Sequence, residues 1–173
     1  IELKSDAPGD LEVSLIREAA EHAGYETIPI YAVGRGVPAD ADEPGIRLSR
    51  QILLNAASGI AKTHLDMPLI YDAGQLGEGY PYLSALAQLF DSASYIGELE
   101  VESPAHASVF RQGNRWTLAL WTVGTAADVT LTVGAAEELT LTDGRGNPLP
   151  PVALTPEQTV AVHVDHEPVY LSG

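Results

Sequence analysis

The sequence predicts an α/β region followed by an all-β region, and two observations support this fold class. Up to about residue 95, apolar residues recur at helical spacing or form short continuous runs. From Ile96 onwards they alternate with polar residues, and turn signals separate the alternating stretches. The first pattern is typical of helices between buried parallel strands, and the second of antiparallel strands. We therefore divide the chain into residues 1–95 and residues 96–173.

A first helix is predicted to begin at Asp10, a residue type that caps helix N-termini. Apolar residues at positions 11–23 keep a spacing near that of a helix, and Gly24 is a typical terminator. Residues 27–33 then form an almost continuous apolar run. Such a run favours a strand that is buried on both faces, as in a parallel sheet.

A second helix is predicted over residues 46–58, where Gly59 ends it, and a short second strand over residues 60–65. Residues 68–79 are predicted to be a loop, and a third helix follows over residues 81–95. Two parallel strands do not make a stable sheet by themselves. We therefore expect the remainder of the same polypeptide, or another chain, to complete this region.

The second region is predicted to contain seven short strands. Its clearest part is a hairpin over residues 109–123, in which Gln112, Gly113 and Asn114 supply the turn. Seven strands in so short a region are typical of a small antiparallel sandwich. The predicted strands cover residues 96–101, 107–111, 115–123, 129–133, 139–142, 159–164 and 169–171.

Composition narrows the classes of function. The formal net charge of −15 argues against binding to nucleic acid or to anionic membranes, because like charges repel. No apolar run approaches the length of about 20 residues that a membrane span needs. The chain has no cysteine, so it has neither disulfides nor a thiolate nucleophile. No signal-peptide pattern begins at Ile1. We expect the sequence to start within a longer polypeptide, in either the bacterial cytoplasm or the secreted fraction.

Several stretches together carry a resemblance to a known family group. Residues 15–36 (LIREAAEHAGYETIPIYAVGRG) resemble a sixth helix and seventh strand, residues 59–66 (GIAKTHLD) an eighth strand, and residues 80–97 (YPYLSALAQLFDSASYIG) a last helix. The tail is similar too, in VFRQGNRWTLALW, DVTLTVG, LTLTDGRGNPLP and EPVYLSG. This order of elements resembles the C-terminal part of barrel-type glycoside hydrolases of the large retaining clan.

The resemblance implies the last βα units of a (β/α)8-like barrel, followed by a C-terminal antiparallel β-sandwich that supports the barrel. It also implies hydrolysis of O-glycosyl bonds, provided that the missing part of the barrel is present. In that clan a glutamate nucleophile ends the seventh strand. The matching stretch here, residues 31–35, holds no carboxylate. The fourth strand, which in that clan ends with the acid/base glutamate, would precede Ile1. We therefore assign no catalytic residue.

Loops that follow barrel strands face the active site, so the resemblance implies substrate contacts there. His64 and Asp66, at the end of the second predicted strand, could hydrogen-bond a sugar hydroxyl; alternatively they anchor a local loop. Arg35 could bind a substrate carboxylate. Its alternative is an ion pair with the acidic loop of residues 40–43. That loop lacks the twelve-residue calcium pattern, so we assign no metal and no cofactor.

Tyrosines near the glycine-rich loop are candidates for stacking on sugar rings. We assign Tyr71 and Tyr80 to substrate binding, and Tyr82 lies in the same stretch. Trp116 and Trp121 belong to the hairpin, and we interpret them as core residues on opposite faces of a strand. The alternative function, from a different class, is a non-catalytic carbohydrate-binding or structural module.

Overall fold

A computed structural model describes residues 2–3, 10–25, 29–33, 43–65, 71–72, 74–101, 104–134 and 138–173. The chain divides into two compact units, Ile1–Tyr80 and Pro81–Gly173, which we call unit 1 and unit 2. The third helix therefore falls almost wholly in unit 2, whereas the sequence-based division at residue 95 placed it with the first region. Among the described residues, no helix is both long and apolar enough to cross a bilayer.

Unit 1 holds a three-stranded parallel sheet in the order β1-β2-β3. The strands are β1 (Glu2–Leu3), β2 (Tyr31–Val33) and β3 (Lys62–His64). Helices α1 (Asp10–His22) and α2 (Pro44–Ala57) alternate with them along the chain. A two-stranded antiparallel hairpin follows, made of β4 (Tyr71–Asp72) and β5 (Gln75–Leu76).

The core of unit 1 lies on one face of this sheet. Ala32 of β2 and Val13 of α1 are buried together with Ile30 and Ile60, and Ile16 packs against them. Gly59 ends the turn after α2 with a φ of +72°, in the left-handed region that favours glycine. The Arg17 guanidinium of α1 donates a hydrogen bond of 2.6 Å to the Gly59 carbonyl oxygen, which ties α1 to this turn.

Unit 2 begins with α3 (Gly79–Phe90) and continues as two antiparallel sheets. The larger sheet has the strand order β10-β12-β8-β7-β6, and the smaller one pairs β11 with β9. The strands are β6 (Ser94–Glu98), β7 (Ala105–Gln112), β8 (Arg115–Thr122), β9 (Ala127–Thr132), β10 (Thr140–Thr142), β11 (Thr159–Val164) and β12 (Val169–Ser172).

One apolar core joins the two sheets of unit 2. Leu118 and Leu120 of β8 meet Val160 and Val162 of β11 in it, and Trp116 packs at its margin. The opposite face of β8 is buried as well, since Trp121 is only 1% exposed and its ring stacks on that of His106. The two tryptophans therefore lie on opposite faces of one strand, as their spacing predicts.

Helix α3 contacts the face of the larger sheet that points away from this core. Phe90 at the end of the helix makes edge-to-face contacts with Phe110 and Tyr170, at centroid distances of 4.8 and 5.4 Å. Aromatic rings prefer this geometry, which places the positive edge of one ring against the negative face of another. The central strand β8 consequently has buried side chains on both faces.

Both outer strands of the larger sheet are modified. Strand β6 carries a bulge between Tyr95 and Gly97, and the Glu98 carboxylate accepts hydrogen bonds from the Ala107 N–H and the Ser108 hydroxyl, both at 2.7 Å. The edge of β10 is covered where the chain folds back, because the Leu149 N–H donates to the Leu141 carbonyl. The β10 edge is thus covered by residues from the same unit, whereas at β6 the bulge and the Glu98 side chain modify the pairing with β7.

Three local predictions differ from the structure. The third helix ends at Phe90 rather than residue 95, because Ser92 adopts a left-handed φ of 59°. The predicted loop over residues 68–79 contains the β4–β5 hairpin. The sheet of unit 1 has three parallel strands, since Glu2–Leu3 pairs with β2. The other helices and the seven strands of unit 2 are confirmed, with bounds that shift by a few residues.

Candidate functional site

The parallel sheet of unit 1 has an open face, and this face is the candidate site. Side chains alternate along a strand, so the buried Ala32 implies that Tyr31 points to the other side. Tyr31 is 40% exposed there, and Lys62 and His64 of β3 are exposed as well. The rings of Tyr31 and His64 meet edge-to-face, with their centroids 6.5 Å apart. We call Tyr31, Lys62 and His64 the open face.

The orientation of His64 is set by its neighbour Thr63. The buried Asn55 of α2 donates a hydrogen bond of 3.1 Å from Nδ2 to the Thr63 hydroxyl oxygen. Thr63 therefore turns towards the helix, and the alternation along β3 turns Lys62 and His64 away from it. A helix–strand hydrogen bond thus presents the imidazole on the open face.

The open face combines three kinds of chemistry. The Tyr31 ring offers a flat apolar surface, of the kind that packs against the C–H face of a sugar. The His64 imidazole can donate one hydrogen bond and accept another when it is neutral. The Lys62 ammonium donates only. This combination suits a ligand that is polar, uncharged or anionic, and built from rings.

The predicted substrate-binding residues fall into three groups in the structure. His64 is the last residue of β3, and Tyr80 lies in the first turn of α3 with 40% of its surface exposed. Tyr71 belongs to β4, although its side chain is outside the described part of the chain. Arg35 and Asp66 lie wholly outside it. Among the described residues, no ring contact or hydrogen bond joins His64 to Tyr80.

Two residues of the open face, Tyr31 and Lys62, were not identified from the sequence. Tyr31 sits inside an apolar run that we interpreted as buried on both faces, so its exposure was unexpected. The available signal was the position of Tyr31 between the apolar residues Ile30 and Ala32, which places it on the face opposite to theirs. By contrast, Tyr82 is only 4% exposed and does not offer a free ring face.

Tyr82 instead belongs to a polar cluster inside unit 2. Its hydroxyl donates to Glu167 Oε1 at 3.0 Å and accepts a hydrogen bond from Arg145 Nε at 3.2 Å. Burial raises the pKa of Tyr82, and the hydrogen bond to Tyr82 raises the pKa of Arg145. Shifted pKa values are found at functional sites and in structural networks alike. Here the hydrogen bonds of the Tyr82 hydroxyl both stay within the cluster, which indicates a structural role.

The glycine at the centre of this cluster explains its packing. A Cβ atom on Gly144 would lie 2.9 Å from Tyr82 Cε1 and 3.1 Å from both Glu167 Cγ and the Pro168 carbonyl oxygen. Asp143, one residue earlier, holds the turn by accepting hydrogen bonds from the Arg145 and Asn147 N–H groups. In the described ranges, no group of three or more histidine, aspartate or glutamate residues is arranged to hold a metal ion.

Comparison with known proteins shows the fold. No family model and no curated protein sequence matches the chain. A glycoside hydrolase family 30 endoxylanase from Clostridium papyrosolvens matches 99% of the chain with a TM-score of 0.72 at 8% identity. A family 30 subfamily 8 xylanase from Clostridium acetobutylicum matches 99% with a TM-score of 0.67 at 10% identity. A family 44 xyloglucanase from Paenibacillus polymyxa matches 92% with a TM-score of 0.61 at 8% identity.

The chain spans only part of each of these enzymes. It covers 48% and 55% of the two family 30 structures and 34% of the family 44 structure. At identities near one residue in ten, the likeness concerns the fold and not the chemistry. The chain thus has a mixed helix and strand fold that is found in glycoside hydrolases.

Proposed function

We propose that the chain is the C-terminal portion of a glycoside hydrolase-like protein. Unit 1 then supplies the last βα units of a (β/α)8-like barrel, and unit 2 is the β-sandwich that supports it. The observation that carries this proposal is the fold match along 99% of the chain to about half of a larger enzyme. The alternation of parallel strands and helices in unit 1 supports the barrel.

The open face is the part of unit 1 to which this proposal assigns saccharide binding. In a barrel the helices lie outside, so the sheet face opposite α1 and α2 turns inward. Tyr31, Lys62 and His64 would then point into the barrel, and the chain that follows β3 would reach its C-terminal rim. In this reading Arg35, His64, Asp66, Tyr71 and Tyr80 line one wall of a saccharide cleft, and Tyr31 joins them.

The barrel must be completed by strands that pair with β1 or β3. Within the described residues, each of these strands is an edge of the three-stranded sheet, and a parallel sheet is normally covered and continued on both sides. The completing strands come from the remainder of the same polypeptide or from another chain. Hydrolysis of a glycosidic bond would require them to supply both carboxylates, because residues 31–35, where the retaining clan places its nucleophile, hold none.

The test uses the completed protein, with xylan as the first probe because two of the similar structures are xylanases. Tyr31→Ala and His64→Ala are each expected to weaken retention by soluble xylan in affinity electrophoresis by about fivefold, as the loss of a ring contact or hydrogen bond predicts. Tyr25→Ala is the matched control, since Tyr25 is 62% exposed at the end of α1 and outside the open face.

An equal loss in all three variants, or no loss with any of a panel of xylan, xyloglucan and β-glucan, would count against the saccharide cleft.

A second candidate function is a non-catalytic saccharide-binding or structural module. The absence of a carboxylate from residues 31–35, where the retaining clan places its nucleophile, favours it. Reducing-sugar release by the completed protein separates the two candidates, because only the first predicts it.

A further inference from the structure

A cavity of about 640 Å³ opens beside β11 in unit 2. Its lining includes Ala161, Val162 and His163 of β11 and the segment of residues 149–153. Leu141 and Val169 add apolar surface to this lining. We call this cavity the β11 groove. Its volume lies within the range of binding pockets, about 300–1,000 Å³.

The hydrogen-bonding groups at the rim of the groove follow from the register of β11. In an antiparallel pair, successive residues turn their N–H and C=O groups alternately towards the partner and away from it. The Gln158 carbonyl accepts the Val133 N–H on the β9 side, whereas the Thr159 carbonyl accepts the Thr155 N–H on the other. The alternation therefore directs the backbone groups of Ala161 and His163 into the groove.

In the described part of the chain, no backbone group across the groove is bonded to Ala161 or His163. Among the described residues, β11 forms a ladder with β9 alone, and no other backbone hydrogen bond reaches Ala161 or His163. The opposite side contains Pro150 and Pro151, which have no N–H to donate. The edge of β11 is therefore free only between Thr159 and Asp165, whose carbonyls accept the Thr155 and Thr122 N–H groups. There it can pair with one more strand, whereas β10 is covered by the returning chain.

Charge indicates which kind of strand fits. Asp165 and Glu167 line the end of the groove, and the whole chain carries a net charge of −15. Arg145 approaches Glu167 only to 3.9 Å and is largely exposed, so it offsets little of this negative potential. A second copy of the same acidic chain would be repelled here. A saccharide would find no aromatic ring among the lining residues apart from His163, whose Nδ1 lies 2.8 Å from Asp128 Oδ1.

We propose that the β11 groove binds an extended peptide strand from a partner polypeptide. The strand pairs with the backbone groups of Ala161 and His163, lays small apolar side chains on Leu141 and Val169, and places a lysine or arginine near Asp165 and Glu167. This is β-strand addition, in which main-chain hydrogen bonds give affinity and side-chain pockets give specificity. It is independent of any saccharide bound to unit 1.

The test uses the full 173-residue chain and fluorescein-labelled nine-residue peptides of alternating valine and threonine. One peptide has lysine at both ends, a second has glutamate there, and a third has two central prolines. The lysine peptide is expected to raise fluorescence anisotropy, and the other two to bind at least about tenfold more weakly, because each loses a charge contact or main-chain hydrogen bonds.

Variants of the chain locate the bound strand. Ala161→Pro removes the N–H that faces the groove and no N–H that faces β9, so it is tolerated on an edge strand and should weaken the lysine peptide by about tenfold. Ala161→Thr is the matched control, which keeps the N–H and should bind as the original chain does. Glu167→Gln keeps the acceptor for Tyr82 and should weaken binding by about threefold, with a reduced dependence on salt.

Hydrogen exchange on the original chain decides the question even if Ala161→Pro fails to fold. The Ala161 and His163 amides should exchange more slowly when the lysine peptide is present at saturation. Unchanged exchange, equal binding of all three peptides, or sedimentation showing that the chain itself dimerises through β11 would overturn the proposal. The assay contains no saccharide, so its outcome is separate from that of the proposed cleft.

Discussion

The two units of the chain differ in how much of their packing is internal. In unit 2 the two longest strands, β7 and β8, have eight residues each, and the core is built from both sheets. In unit 1 the strands have two or three residues, and the described core centres on Val13, Ile30, Ala32 and Ile60. Unit 2 therefore buries a large core between two sheets of its own, whereas the described part of unit 1 has a small core, short strands and an open face.

The largest expected effect comes from removing core volume in unit 2. Leu120→Ala empties space in a fully buried position of β8 and should lower the free energy of unfolding by about 2–5 kcal/mol. Urea denaturation followed by tryptophan fluorescence measures this change. Both tryptophans of the chain, Trp116 and Trp121, lie on β8, so the signal reports unit 2.

The matched variant in unit 1 is Ile30→Ala, which removes a similar volume from the smaller core. The circular dichroism signal of helices α1 and α2 should be lost at a lower urea concentration than in the original chain. The midpoint of the tryptophan fluorescence transition should stay the same. If Ile30→Ala shifted the tryptophan midpoint as far as Leu120→Ala does, the units would unfold as one. The two units would then differ in their packing but would not differ in their unfolding.

A smaller effect is expected from filling the space at Gly144. The Cβ of Gly144→Ala would collide with Tyr82 and with the Pro168 carbonyl, so the variant should lose about 1–3 kcal/mol of stability. Gly124→Ala is the control, because its Cβ would lie 3.8 Å from the nearest atom, the Thr122 hydroxyl oxygen. Thermal unfolding should separate the two variants; similar melting temperatures would show that the cluster around Tyr82 is loosely packed.

The smallest effect concerns the Tyr82 hydroxyl. Tyr82→Phe removes hydrogen bonds to Glu167 and Arg145 and should cost about 1 kcal/mol at pH 7. Burial raises the pKa of Tyr82 in the folded protein, so the folded state holds the phenol proton more tightly than the unfolded state. The stability from this source is complete below the unfolded pKa of about 10 and is lost as the pH rises through the higher folded value.

The difference in stability between the original chain and Tyr82→Phe should therefore shrink above about pH 10. Urea denaturation at a series of alkaline pH values measures this difference, and the other tyrosines cancel because both proteins contain them. A difference that stayed constant or grew with pH would show that the folded pKa of Tyr82 is not raised.

Elements with strong local signals were predictable from the sequence. Gly24, which has a φ of +81°, follows α1 as expected, and the spacing of Trp116 and Trp121 predicted that they lie on opposite faces of one strand. The predicted third helix was too long because its apolar pattern continues past Phe90. That pattern does not indicate the left-handed conformation of Ser92, where the helix has ended. Helix ends depend on single backbone conformations more than on periodicity.

Contacts between distant positions were not predictable in the same way. Tyr82 was considered for sugar stacking, yet its partners Arg145 and Glu167 follow it by 63 and 85 positions in the sequence. The exposure of Tyr31 depends on which neighbours cover the sheet. The apolar sequence pattern of a strand in a parallel sheet does not show whether one face of the strand is covered or both. The positions of Arg35 and Asp66 remain predictions from the strand-end rule.

The outer strands of the larger sheet have a consequence for polymerisation. The returning chain covers the edge of β10, and the bulge on β6 disturbs the regular edge that stacking into a fibril needs. Strand β11 has neither device; its protection is electrostatic, through the acidic groups near its end. The protein should therefore stay dispersed at low salt and become prone to strand-mediated aggregation when salt screens those charges.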